Sequence, residues 1–481
     1  MKDEVLVALL LTLVSLTYFL FLGLRAIPRT KTRKGFFKAG KSISSTELSN
    51  TIAAAGLSNA AVAIAYLQLT PSFGIFLLIA LAANLLTQVA MIYLIRHAKV
   101  DIGKITTVGN MVYEFTGSEN ISRWVEVITY VGFFAALLVE VIIGSSLFSF
   151  VLTGVPYADF LGVIVVTAIV LGYIVTGGLT ATIESDSWQL RLIFLGGFAL
   201  AATSLALLSN QSSYAAVSTE FSIYGAAPGS LLLWWALITV VLSVLAPIGQ
   251  VSAWQRLSAT RPDQRIKGVV RSIFLLAVLY SIFFTAGLAF AYKGVAVQDW
   301  GAVFLVMENL GGVFFQVLFP LLFVGLVAAM ISTADTNTLA IIYSLRAKDN
   351  RSEEDLGVGR KKIIKMSIVI FGIVIASFFV FKETAESNTL LSIIFLFFGL
   401  HVLLAPLVIS IVLGRNILRS ESALLYGLIV GLSFLLIFGV VAMRTNELVY
   451  TFIGDFFGFL IVCIGTYFAF QNRGHENGRS A

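Results

Sequence analysis

The sequence predicts an all-α membrane protein with thirteen transmembrane helices, from its composition, the length of its apolar runs and the placement of its basic residues. Of its 481 residues, 58% are hydrophobic and only 12% are charged, and the mean hydropathy is +0.95. Soluble domains carry about a quarter charged residues, so this chain has too little charge to cover a globule of its size. Its apolar content also excludes a disordered chain. A water-soluble enzyme is therefore excluded.

Apolar runs of about 20 residues recur along the whole chain, and each can cross ~30 Å of hydrocarbon as a helix. The first run is not expected to be a cleaved signal peptide, because its start (Met1-Lys2-Asp3-Glu4) is not basic and no small-x-small cleavage site follows. We predict spans at about residues 4–24, 48–71, 75–95, 122–150, 156–176, 182–208, 229–250, 269–292, 313–345, 363–381, 388–413, 422–442 and 448–470.

The lysines and arginines predict the orientation of these spans. With the N-terminus outside and the C-terminus inside, 28 of the 32 basic residues fall on the inner side. Adding or removing one span would place many of these basic residues on the outer side. We therefore expect a multi-pass protein of the plasma (cytoplasmic) membrane in that orientation. The net charge of +6 is then explained by orientation, and no nucleic-acid partner is expected. The single cysteine excludes an intramolecular disulfide, and the three histidines have no metal-ligand spacing.

Ten of the thirteen spans divide into two groups of five when the first and the last two are set aside. The first group enters from the inside and the second from the outside, so the two halves are inverted, as in many secondary transporters. Each half opens with a helix that holds a proline and a glycine near its end. The predicted units are a peripheral first helix with a basic cytoplasmic loop (1–47), two five-helix repeats (48–208 and 229–413), two accessory helices (422–470) and a short cytoplasmic tail (471–481).

Four short segments carry recognisable motifs in order along the chain. They are Phe-Phe-Lys-Ala-Gly-Lys-Ser at 36–42, Gly-Gly-Leu-Thr-Ala at 177–181 followed by Asp186 and Gln189, Gln-Arg-Leu-Ser-Ala at 255–259, and Ala-Ala-Met-Ile-Ser-Thr at 328–333. Together they resemble the sodium/solute symporter family, which includes the sodium/proline and sodium/galactose transporters. The resemblance covers nearly the whole chain and implies the LeuT-type fold of two inverted five-helix repeats. Residues 65–72 lack the glycines of the family's TFLG-x-PG-like segment, a departure that concerns the substrate more than the fold.

A sodium site is expected on the predicted span 313–345. Sodium bound in a membrane needs about five or six oxygen ligands in place of water, from hydroxyls and from carbonyls freed at a helix break. Hydroxyls of Ser332 and Thr333 and the carbonyl of Ala329 lie on one helix face. Alternatively, the hydroxyls bond back to their own helix. The resemblance implies sodium binding, with the carbonyls of Leu57 and Ala60 as the facing ligands.

The resemblance also implies a second cation site, made by Asp186, Ser332, Asp335 and Thr336. An intramembrane carboxylate such as that of Asp335 is costly enough to suggest a function. The alternative is that Asp335 lies near the cytoplasmic helix end and reaches solvent or Arg346. Sodium is the one metal expected.

The predicted apolar spans contain few polar residues, and these residues are candidates for substrate binding. Glu140 lies in the apolar segment 137–143 and could bind an ammonium group, carry a proton, or pack as a protonated acid against another helix. No arginine or lysine lies deep in a predicted span apart from Arg191, which is near the inner end of its span, so a small neutral or zwitterionic organic solute is favoured over a multiply anionic one. The candidate residues are Asn59, Gln68, Asn84, Glu140 and Gln250, of which Asn59 and Gln68 flank the expected break in the first core helix.

These features favour a sodium-coupled symporter that works by alternating access, functioning as a monomer. A proton-coupled carrier of the same fold is the main alternative, suggested by Asp335 and Glu140. A transporter-like membrane sensor is a further alternative, although the predicted tail of eleven residues leaves no room for a signalling domain. No nucleophile–base pair, metal-ligand cluster or phosphate-binding loop is present in the sequence, so an enzyme is not expected.

Overall fold

The computed structural model describes residues 3–58, 65–105, 107–209, 224–225, 229–346, 357–382, 387–414 and 417–471. These residues are almost entirely helical, which confirms the predicted all-α class. Their extended structure consists of a two-residue pair, β1 (Ile417–Leu418) antiparallel to β2 (Phe470–Gln471), and a parallel bridge between Ile43 and Thr260. The helices are α1 (Asp3–Ala26), α2 (Arg33–Lys38), α3 (Ser45–Gly56), α4 (Ala65–Phe73), α5 (Leu78–His97), α6 (Val108–Thr116), α7 (Glu119–Val151), α8 (Ala158–Ser209), α9 (Gly229–Gly249), α10 (Val251–Ala259), α11 (Arg265–Tyr292), α12 (Trp300–Leu310), α13 (Phe319–Arg346), α14 (Gly357–Lys382), α15 (Ser387–Val412), α16 (Glu421–Thr445) and α17 (Leu448–Ala469).

Eleven helical segments of the described chain are long and apolar enough to cross a membrane. The longest, α8, has 52 residues and would extend about 78 Å if it were straight, more than twice the thickness of the hydrocarbon layer. It contains both predicted spans 156–176 and 182–208. The predicted span 48–71 is divided between α3 and α4. The total of thirteen crossings therefore stays a prediction.

Gly178 interrupts α8 between its two halves. Its backbone has φ 50° and ψ −145°, a conformation that L-residues with a Cβ avoid. A Cβ at this position would also lie 2.5 Å from the carbonyl oxygen of Phe36, which belongs to α2. The glycine pair of the 177–181 motif thus lets the segment around α2 pack directly against the bend in α8.

The opening helix of each predicted repeat is interrupted. In the first, α3 begins with a capping box between Ser44 and Glu47 and ends at Gly56, after which Leu57 is non-helical (φ −98°, ψ 80°). Residues 59–64 lie outside the described residues, and α4 starts at Ala65. At this helix end the Gly56 carbonyl accepts a hydrogen bond from the Tyr280 hydroxyl at 3.0 Å, and the Ala54 carbonyl accepts one from the Leu57 amide.

In the second repeat, α9 ends at Gly249 and Gln250 is extended (φ −83°, ψ 127°) before α10 begins. Pro247 contributes to this break because it has no N–H to donate within α9. Each predicted repeat therefore opens with an interrupted helix, α3 after 12 residues and α9 after 21.

The core is centred on α13, which packs against α3, α7 and α8, while α15 packs against α7, α9 and the α16–α17 pair. The outer helices expose large apolar side chains, among them Val14, Leu233 and Phe274, each at least two-thirds exposed. Water does not support such a surface over so many helices, whereas lipid tails do. The protein is therefore a multi-pass membrane protein.

Candidate functional site

A cavity of about 180 Å³ lies at the centre of the helix bundle, next to the break after α3. At ~30 Å³ per water molecule it would hold about six waters, the scale of a small solute. Its apolar wall includes Met91, Leu276, Phe397 and Phe398. Its polar lining includes Ser58, Asn84, Gln88, Gln250, Arg256 and Asn337.

Two of the predicted substrate residues, Asn84 and Gln250, line this cavity. The side-chain nitrogen of Asn84 donates to the Ala80 carbonyl at 2.8 Å, and the side-chain oxygen takes no part in that bond. Gln250 is the non-helical residue between α9 and α10, so its backbone and its side chain both lie at a helix break.

The other predicted substrate residues are placed differently. Gln68 is not among the cavity-lining residues: its side-chain amide donates to the backbone carbonyl of Gln298, in the loop before α12. Glu140 is fully buried on α7 and accepts a hydrogen bond from the Ser58 hydroxyl at 2.5 Å. Ser58 lines the cavity, so Glu140 lies one side chain away from it. Asn59 lies outside the described residues.

A buried polar cluster surrounds Asp186 beside the cavity. The Ser332 hydroxyl donates to Asp186 Oδ1 at 2.7 Å, and the Thr51 hydroxyl donates to Asp186 Oδ2. Arg256 Nε donates to the Thr51 hydroxyl at 2.9 Å, and its Nη2 lies 3.9 Å from Asp186 Oδ2. Helices α3, α8, α10 and α13 thus converge on one carboxylate.

The cluster continues to Asp335 on α13. Arg256 Nη2 donates to the Thr336 hydroxyl at 2.6 Å, and the Thr336 hydroxyl lies 3.3 Å from Asp335 Oδ1. The Tyr173 hydroxyl donates to Asp335 Oδ2. Asp335 has no solvent exposure, so the expectation that it reaches solvent at a helix end is wrong. The Arg346 side chain lies outside what the structure describes.

The charges of this cluster do not balance. Asp186 and Asp335 are both fully buried, and Arg256 is the one cationic side chain that reaches them within the described chain. With both carboxylates ionised, one negative charge remains uncompensated. An uncompensated buried charge is costly, so the cluster requires a monovalent cation or a proton.

Ser332 belongs both to the first predicted sodium site and to this cluster. Its hydroxyl donates to Asp186 and not to a carbonyl of its own helix. Thr333 is 8% exposed, and its hydroxyl has no hydrogen-bond partner among the described residues. Ala329 is buried one turn earlier, and Leu57 is buried at the end of α3. Ala60 lies outside the described residues.

Arg256 is the residue of this cluster that the sequence analysis did not select, because it was counted among the 28 basic residues on the inner side. It is only 7% exposed, since the break after α9 turns α10 back towards α3 and α13. The Gln-Arg motif at 255–256 was the available signal. Gln189, in the same motif as Asp186, was also passed over: it is fully buried, and neither amide atom has a described partner. By contrast Arg191, the basic residue singled out from the sequence, is exposed and stacks over Trp188.

Comparison with known proteins supports the fold and not a particular family. No family model and no curated protein matches the sequence. A Na⁺-coupled sialic acid symporter in a substrate-bound outward-open state matches with TM-score 0.69 and 14% identity, covering 97% of this chain and 98% of the other. MhsT in complex with L-phenylalanine matches with TM-score 0.56 and 14% identity, covering 86% and 98%. Mhp1, a nucleobase-cation-symport-1 family transporter, matches with TM-score 0.51 and 18% identity, covering 90% and 94%. The chain therefore has the LeuT-type fold, and its structural neighbours are secondary transporters, not enzymes.

Proposed function

We propose that the protein is a sodium-coupled symporter of a small neutral or zwitterionic organic solute that works by alternating access. The observation that carries this proposal is the excess negative charge of the Asp186–Asp335–Arg256 cluster beside a solute-sized cavity. A buried site with one uncompensated charge favours binding of one monovalent cation. Because the cluster shares α13 with the cavity wall, cation and solute binding can be linked.

The first sodium ion would be held by Ser332, Thr333 and the carbonyls of Ala329, Leu57 and Ala60. This assignment is supported by the unpartnered Thr333 hydroxyl, which lines the cavity, and by Leu57, where the backbone leaves the helical conformation at the end of α3. Together these groups offer about the five oxygens that a dehydrated hard cation needs.

A second cation would bind between the two carboxylates, with Asp186, Ser332, Asp335 and Thr336 as ligands. The support is geometric, since Ser332 already contacts Asp186 and Thr336 already contacts Asp335. The buried amide of Gln189, one turn from Asp186 on α8, offers a further oxygen for the same ion.

The chemistry of the cavity favours a solute with little net charge. Arg256 lines the cavity, but its guanidinium is shared with Thr51, Thr336 and the nearby Asp186. The remaining polar lining consists mainly of amides and hydroxyls, which recognise neutral donors and acceptors. Asn84 and Gln250 would contact the solute directly. Glu140 would act through Ser58, or directly on an ammonium group if Ser58 turns away.

The proposal includes the membrane arrangement. The distribution of basic residues supports a plasma-membrane protein with its N-terminus outside and its C-terminus inside, and the central cavity within one chain supports a functional monomer.

The test is uptake of a radiolabelled solute panel into proteoliposomes, with the sodium and pH gradients varied separately. We expect uptake to require an inward sodium gradient. Ser332→Ala or Thr333→Ala removes one ligand from a desolvated cation, at a cost of about 1–3 kcal/mol, so the apparent sodium affinity should fall roughly 5- to 150-fold. Solute affinity at subsaturating sodium should fall as well.

Ser433→Ala is the matched control, because Ser433 is exposed on α16 and its hydroxyl only bonds back to the Ile429 carbonyl. It should leave the sodium dependence unchanged. If both Ser332→Ala and Thr333→Ala behave like this control, the sodium site is not where we propose it.

A proton-coupled carrier is the second candidate, and the contact between Tyr173 and the fully buried Asp335 favours it. A proton on Asp335 would neutralise the same excess charge that sodium would. Solute uptake driven by a pH gradient in the absence of sodium would select this candidate over the first.

A further inference from the structure

A buried carboxylate lies outside the central cluster, on the accessory helix α17. Asp455 is 1% exposed and lies about 10 Å along the axis from the start of α17, well inside the apolar segment. It packs against α15 at Gly399, where the close approach of Asp455 Oδ1 leaves no room for a Cβ.

Neither carboxylate oxygen of Asp455 has a hydrogen-bond partner among the described residues. Two other buried polar groups on these two helices share that property. One is the hydroxyl of Thr451, one turn earlier on α17, and the other is the hydroxyl of Ser392, two turns before Gly399 on α15. The packing of Phe395 against Phe452 encloses the same seam between the helices.

The helices that pack against α17 offer no counter-charge to Asp455 within the described chain. Helix α9 carries no titratable residue, and the single titratable residue of α15, His401, packs against Phe133 on the other side of that helix. Glu421 and Arg444 lie at the two ends of α16. The remaining titratable residues of these two helices are not hydrogen-bonded to Asp455: they are Tyr426 on α16 and Tyr450, Cys463 and Tyr467 on α17.

The ligand chemistry follows from the number of oxygens available. An ionised carboxylate without a partner is costly at this depth, so Asp455 must bind a positive charge. Sodium needs about five or six oxygens, whereas one carboxylate and two hydroxyls supply at most four. A proton needs one oxygen. We propose that Asp455 is a proton-binding site at the seam between α15 and α17.

Proton binding there is linked to the central cavity through α15. Phe397 and Phe398 line the cavity, and the next residue, Gly399, contacts Asp455 on the opposite face of the helix. With the proton bound, α15 and α17 pack together without an uncompensated charge. Loss of the proton requires water to enter the seam, which separates α15 from α17 and moves the cavity wall. This inference does not depend on which ion drives transport.

The test is infrared difference spectroscopy of the full chain in lipid nanodiscs over a series of pH steps, combined with proton release measured by an indicator dye. We expect one component of the carboxylic-acid carbonyl band to disappear at high pH in the wild type and to be missing from Asp455→Asn, whereas components from the other buried acids, Glu140 and Asp335, stay in both proteins. That variant should release about one proton fewer per molecule on the same alkaline step. Glu447→Gln, an exposed acid at the start of α17, is the matched control and should keep the titrating component.

Gly399→Ala provides a second variant if Asp455→Asn does not fold. Its added methyl must displace the Asp455 carboxyl from the seam, so the titrating component should disappear at a different pH than in the wild type. The proposal is overturned if every component of the wild-type band persists at every pH, since the proton is then never exchanged. It is also overturned if Asp455→Asn keeps the titrating component, or if Gly399→Ala leaves its titration unchanged.

Discussion

Arg256 should be the counter-charge that makes the buried carboxylate cluster tolerable, and Arg256→Gln should therefore destabilise the protein strongly. Its Nη2 lies 3.9 Å from Asp186 Oδ2 and 2.6 Å from the Thr336 hydroxyl. Two unit charges ~4 Å apart interact by about 4 kcal/mol at an effective dielectric constant near 20. Removing one partner of a buried pair typically costs ~3–5 kcal/mol, because the other charge stays buried. We expect a loss of that size.

A second substitution makes this prediction specific to charge. Arg256→Gln leaves two uncompensated carboxylates, and adding Asp335→Asn restores the wild-type net charge of the cluster. The double variant should therefore be more stable than Arg256→Gln alone, with a coupling energy of about 1–3 kcal/mol. The assay is denaturant unfolding of the purified protein in one detergent at fixed sodium concentration.

Arg123→Gln is the matched control, since Arg123 pairs with Glu119 at 2.8 Å on the surface with both side chains more than 60% exposed. Such a pair contributes about 0–1 kcal/mol. The reasoning is refuted if Arg256→Gln costs no more than Arg123→Gln. It is equally refuted if Asp335→Asn fails to improve the Arg256→Gln protein.

Two further predictions concern Asp335 and Gly178. If Asp335 helps to bind a second cation, Asp335→Asn should remove one unit of coupled charge from sodium-driven uptake. If Asp335 carries a proton, the same variant should abolish the pH dependence of uptake between about 5 and 8. Uptake with wild-type stoichiometry and a wild-type pH profile would exclude both roles. Gly178→Ala should lower the unfolding free energy by at least about 1–2 kcal/mol, because its φ of 50° is unfavourable for alanine and the methyl would meet the Phe36 carbonyl. Gly372→Ala is the control, because Gly372 is exposed on α14 with open space around it. In the same unfolding assay this variant should be neutral or slightly stabilising. Equal unfolding free energies of the two alanine variants would contradict the steric argument.

The fold was predictable because bilayer thickness acts on every span in the same way. Apolar run length locates the helices without any knowledge of their packing, and each predicted span falls largely on described helix, with 48–71 divided between α3 and α4. The two halves of α8 illustrate the limit. Their apolar runs were separated correctly around Gly178, but the structure keeps them as one bent helix, since a single non-helical glycine suffices for the bend.

The candidate site was less predictable, because its residues are brought together by helix breaks. Asp335 and Ser332 stood out as polar residues in an apolar run. The burial of Arg256 depends on the direction that α10 takes after Gly249, and spacing along the sequence does not encode that direction. Gln68 stood out for the same reason as Asp335, yet α4 carries it to the loop at Gln298, and it is not among the residues that line the cavity.

The backbone bridge between Ile43 and Thr260 ties together two distant parts of the chain. The Ile43 amide donates to the Ala259 carbonyl, and the Arg261 amide donates to the Ile43 carbonyl, both at 3.3 Å. These bonds join the segment that leads into α3, just before the first predicted repeat begins, to the segment that leaves α10 in the second. Because only main-chain atoms take part, replacing the side chains leaves the connection intact. The ends of α3 and α10 nearest this junction are thereby held as one mechanical unit, and a displacement of either end is transmitted to the other.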